Sequence, residues 1–87
     1  MNDKVLDFAD KQCNKMLYTF TQQGYSYLDF REAAMYITLN AFVTTTFLKN
    51  GVDSPTYEQM YDAGINACDD IIRFFHGYKE KLINKEE

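Results

Sequence analysis

DFREAAMYITLNAFVTTTFLKN, residues Asp29 to Asn50, is the stretch that decides the fold. Wound at about 100° per residue, it is apolar on two opposite sides. Phe30, Ala33, Ala34, Ile37, Ala41 and Leu48 occupy one side, and Met35, Tyr36, Leu39, Phe42, Val43 and Phe47 the other. A helix that is apolar nearly all round must be covered nearly all round. Its second half, AFVTTTFL, is β-branched and aromatic and on propensity alone would suit a strand. The Asp29-x-x-Glu32 spacing, which approximates a capping box, and the lack of strict alternation favour a helix over about 30–49, ended by Asn50-Gly51.

Outward from this segment, the pattern on each side is also helical. Before it, Val5, Leu6, Ala9, Cys13, Leu17 and Phe20 recur as one stripe over about 3–23, with Asp3 as N-cap and Gly24 just past the end. After it, Ser54-Pro55 reads as N-cap and first helical residue of a helix over about 55–83. In that helix Tyr57, Tyr61, Gly64, Cys68, Ile71 and Phe75 alternate steps of four and three, a heptad-like seam. Met60, Ile65, Ile72 and Phe74 widen the seam to about half the circumference. Gly77 lies on the polar side and is expected to weaken the helix without ending it. The expected fold is therefore all-α, a single helical domain over 1–87 made of three helices.

Three helices in one chain leave the central one short of cover. Met35, Leu39, Phe42 and Val43, or alternatively Phe30, Ile37 and Leu48, are the residues expected to face another copy of the chain, so that a homodimer or higher oligomer completes the core. Burying four such side chains at ~25 cal/mol per Å2 is worth several kcal/mol per protomer, enough to decide whether so small a chain is stable.

Composition narrows the function classes. The chain has 87 residues, 46% hydrophobic and 16% aromatic, so a core needs no metal or disulfide staple. Its net charge of −4 argues against non-specific nucleic-acid binding, which needs clustered cations, and a central helix with only Arg31 and Lys49 argues against specific reading by a recognition helix. MNDKVLDFADKQ lacks the basic start and apolar run of a secretory signal, and no apolar run approaches the ~18 residues of a membrane span. The expected setting is cytoplasmic, with no membrane partner. Cys13 and Cys68, both on apolar stripes, are expected to be buried reduced thiols.

Catalytic and metal chemistry find little support. His76, the single histidine, sits on the polar face among Asp69, Arg73 and Glu80, where a convex surface offers no cleft. Glu-x-x-His pairs and glycine-rich phosphate loops are absent from the sequence. Neither an enzyme, a cofactor nor a metal site is expected. The expected function is a non-enzymatic module that binds a protein partner, of the inhibitor, immunity or phage- and plasmid-accessory kind, by analogy of size and composition. Phe8, Lys11, Lys15 and Tyr18 on the first helix are the expected partner-facing residues, followed by the acidic Asp62, Asp69 and Asp70 on the third. The alternative is an oligomeric protein that encloses a small anion or nucleotide between Lys15, Tyr18, Tyr25 and Tyr27 of adjoining protomers.

Overall fold

The computed structural model describes residues Asn2–Lys85. It is all-α among these residues: α1 spans Asp3–Gln22, α2 Tyr27–Asn50 and α3 Tyr57–Lys85. The β-branched run of α2 is helical throughout, as its start signal and lack of alternation predict. Its threonines fit the helix: the Thr45 hydroxyl donates to the Ala41 carbonyl at 2.7 Å and the Thr46 hydroxyl to Phe42 at 2.8 Å. Both hydroxyls are thus satisfied within the helix itself.

Each helix starts on a cap a few positions from the expected one. Asn2, not Asp3, caps α1, its Oδ1 accepting from the Lys4 N–H at 2.8 Å. Ser26 caps α2: its Oγ accepts from the Asp29 N–H at 3.1 Å, and the Asp29 carboxylate accepts from the Ser26 N–H at 2.9 Å. Asp29 is therefore the third-position member of the capping box, not its cap, which lengthens α2 by one turn. Thr56 caps α3, paired in the same way with Gln59 at 3.1 and 2.8 Å. The helix begins after Pro55, because the Thr56/Gln59 pair satisfies two amides where Ser54 would satisfy one.

Both turns between helices end the preceding helix alike. Gly24 and Gly51 have φ of +86° and +71°, the left-handed region open to glycine. Around them Tyr25 N–H donates to Phe20 and Gly24 N–H to Thr21, as Val52 N–H donates to Phe47 and Gly51 N–H to Leu48. These are paired Schellman closures. Gly77 is accommodated inside α3, which runs on to Lys85.

The chain divides into two compact units, Met1–Met35 and Tyr36–Glu87, with the boundary inside α2. In the first, Met16, Leu17 and Phe20 of α1 and Phe30, Ala33 and Ala34 of α2 are half-buried. The Phe20 ring contacts Tyr25 at 5.4 Å and Phe30 edge-on at 5.5 Å. Residues flanking the cap of α2 thus both clamp the end of α1 through Phe20. In the second unit, Leu39, Phe42, Val43 and Phe47 of α2 are half-buried. Ala67, 3% exposed, is the one buried residue among those described, flanked by half-buried Ala63, Gly64 and Ile71. Small side chains on that face of α3 permit close approach of a neighbouring helix.

Candidate functional site

Helix length against cover defines the exposed surface. Within the first unit α1 is 20 residues, about 30 Å, and the part of α2 that belongs to that unit, 27–35, is about 13 Å. Within the second, α3 is 29 residues, about 43 Å, against about 22 Å of α2 from Tyr36 to Asn50. Apolar stripes that continue along α1 and α3 outrun the cover their own units provide. On α1 the uncovered part of the stripe holds Val5 and Leu6, with Phe8 off the stripe beside them, and on α3 it holds Ile72, Phe74, Phe75, Tyr78 and Leu82, all exposed.

The same geometry accounts for the cysteines. Cys13 and Cys68 are free and exposed, which corrects the expectation that both are buried. Cys13 lies on the stripe of α1 beyond the half-buried Met16 and Leu17. Cys68 is one residue, about 100°, round α3 from buried Ala67.

The residues expected to face a partner are all at the surface. Phe8 and Tyr18 are 64% and 66% exposed, with Lys15 exposed between them. Lys11 is drawn to Asp7 in an exposed pair at 3.0 Å, so its charge is partly answered locally. Asp62 and Asp69 are exposed, and Asp70 is paired with Arg73 one turn on. Of the four residues expected at an oligomer interface, Met35 is exposed, while Leu39, Phe42 and Val43 are half-buried. Met35, Tyr36 and Leu48 keep exposures of 65%, 66% and 73%, on different sides of α2.

Hollows are shallow. One of about 270 Å3 lies beside the second turn, lined by Val43, Phe47, Val52, Pro55 and Met60 among others. Pro55 and Met60, before and after the α3 cap, stand where a hydrophobic staple is expected. A second, of about 240 Å3, follows one side of α1 along Lys15, Met16, Thr19 and Phe20. Of the aromatic residues considered for an anion site, Tyr18 and Tyr27 are exposed and Tyr25 is engaged by Phe20.

Titratable chemistry is sparse. Asp29 is held below the usual 3.8, first by the Ser26 backbone N–H and then by the Ser26 side chain, a consequence of capping. His76 is exposed, 3.7 Å from Glu80. Among the described residues, no group of three His, Cys, Asp or Glu is placed to hold a metal ion, and no helix is long and apolar enough to cross a membrane. No protein-family model, curated protein or solved structure matches this chain.

Proposed function

We propose that this chain is a non-enzymatic interaction module that associates with itself and presents its remaining faces to a protein partner. The observation that carries this is the shortfall of cover along α3. Its apolar stripe runs for about 43 Å, and the half of α2 in the same unit spans about half of that. Phe74, Phe75, Tyr78 and Leu82 are consequently 46–56% exposed. Contiguous apolar surface of this kind on a small domain marks an interaction site. Symmetric self-association is the commonest way for a short chain to cover it.

Phe8, Lys15 and Tyr18 on α1 form the partner-facing surface we favour. They combine exposed rings with a cation not engaged in the local pair that holds Lys11. Molar mass measured by sedimentation equilibrium tests self-association: about twice the 10.2 kDa of the chain is expected at micromolar concentration. A species at chain mass at every concentration would refute it. For the partner surface, a Phe8→Ala/Tyr18→Ala variant should lose a partner that the parent chain retains, with helix content unchanged. Equal recovery by both would remove α1 from the interface.

A further inference from the structure

α3 carries a second apolar stripe about 80–100° from its buried side, which is centred on Ala67; this stripe is formed by Tyr57, Tyr61, Ile65, Cys68, Ile72 and Phe75. Cys68 is exposed, and the other five are 82%, 65%, 52%, 65% and 56% exposed. The order of residue types along this stripe is nearly the same in both directions. Counting outward from Cys68, Ile65 lies three residues before and Ile72 four after, while Tyr61 and Phe75 lie seven away on either side. Eleven away are Tyr57 and Lys79.

A two-fold interface brings one surface patch against itself, so along a helix pair it requires a pattern that survives reversal. An aromatic–isoleucine–cysteine–isoleucine–aromatic stripe meets that requirement. Charge meets it as well. From Tyr57 to Asp70, α3 carries Glu58, Asp62, Asp69 and Asp70 with no Lys or Arg, a charge of −4. From Ile71 to Lys85 it carries Arg73, Lys79, Lys81 and Lys85 against Glu80, a charge of +3. Parallel alignment of two such helices sets like charge on like, whereas antiparallel alignment sets acidic half on basic half.

We propose that two copies of this chain dock through this stripe, α3 antiparallel on α3, with the two-fold axis passing beside Cys68. Ile65 then meets Ile72 of the second copy, Tyr61 meets Phe75, and Lys79 falls beside Tyr57 and Glu58. The three aromatic side chains, 82%, 65% and 56% exposed, supply a large share of the roughly 800 Å2 per partner of a stable interface. The flanking face of α3, with Ala67, stays buried within the chain. This arrangement rests on the self-association proposed above and specifies its surface and direction.

The test uses the full chain with Cys13→Ser, leaving Cys68 as the sole thiol, and reads cross-linking by a short bifunctional maleimide together with the dimer dissociation constant. Efficient Cys68–Cys68 cross-linking at concentrations where the dimer forms is expected. Glu58→Lys and Lys79→Glu should each weaken the dimer about tenfold, by placing like charges together at both ends of the interface. The double variant, which exchanges the two charges, should recover most of that loss. Recovery separates pairing between chains from any effect of Glu58 on its own helix. A dimer that neither cross-links through Cys68 nor responds to the charge exchange would overturn this interface and leave self-association standing. A chain that stays monomeric would overturn both.

Discussion

The two turns of this chain are built from the same parts, yet they hold their helices differently. Each has a left-handed glycine, a Schellman closure and a reciprocal capping box: Gly24 with Ser26/Asp29, and Gly51 with Thr56/Gln59. Around the first, one ring binds the parts together, since Phe20 contacts both Tyr25 and Phe30. Around the second, three further residues separate the glycine from the cap, and a hollow of about 270 Å3 opens between Phe47, Val52, Pro55 and Met60. Conversely, the second unit has the only buried residue among those described, Ala67, and the first has none. Hydrogen bonds at the turns are satisfied locally in both units, whereas apolar cover is incomplete in both. Helix ends are thus fixed by short-range chemistry, and what stabilises the helices against one another is scarce.

This comparison breaks first at the aromatic clamp. Phe20→Ala should cost about 2 kcal/mol, below the usual penalty for a fully buried phenylalanine because the ring is half-buried. Phe47→Ala, at the equivalent position before Gly51, should cost less, since it borders a hollow. Urea titration of both variants checks the order, and a larger loss for Phe47 would invert the contrast between the turns.

The glycines sharpen it next. Gly24→Ala and Gly51→Ala should each destabilise by about 1 kcal/mol through the left-handed backbone alone, because an added Cβ meets nothing within 4 Å at either place. Gly77→Ala, in the helical interior with the same free space, should stabilise by up to about 1 kcal/mol. Thermal melts of the three variants test the reversal of sign. A destabilised Gly77→Ala would show that its side of α3 is occupied.

Caps give smaller effects. Ser26→Ala and Thr56→Ala should each lower stability by about 1 kcal/mol or less, seen as fraying of the first turn of α2 or α3 by amide exchange. Asp29 adds a dependence on acidity. Its carboxyl titrates below 3.8 in the folded chain, so its stabilising share is present above 3.8 and is lost as pH falls through the lower folded value. Asp29→Asn should flatten that part of the acid-unfolding profile, and an unaltered profile would remove the capping box as its cause.

Helix number, type and order were legible in the sequence, because apolar spacing of three and four persists through each segment. The caps were legible only approximately, for a physical reason. A capping box has two members that can each pass for the cap, as Ser26 and Asp29 do, and Ser54-Pro55 stands just ahead of the pair that does the capping, Thr56 and Gln59. Cys13 and Cys68 show a different limit. Periodicity tells which half of a helix is apolar, but not which part of that half is covered, along the helix for Cys13 or around it for Cys68. Among surface residues, Phe8 and Tyr18 were recognisable because they depart from the stripe of α1. Tyr61, Ile65 and Ile72 were not, because from spacing alone they merge with the broad apolar half of α3, and only burial separates its two stripes.

The claim that a single chain lacks the cover its helices need is tested most directly by the concentration dependence of its melting temperature. Self-association that stabilises the folded form raises the midpoint by mass action. We expect an upward shift of several degrees across a hundredfold rise in chain concentration. A midpoint that stays fixed over that range, with molar mass holding at 10.2 kDa, would contradict the claim.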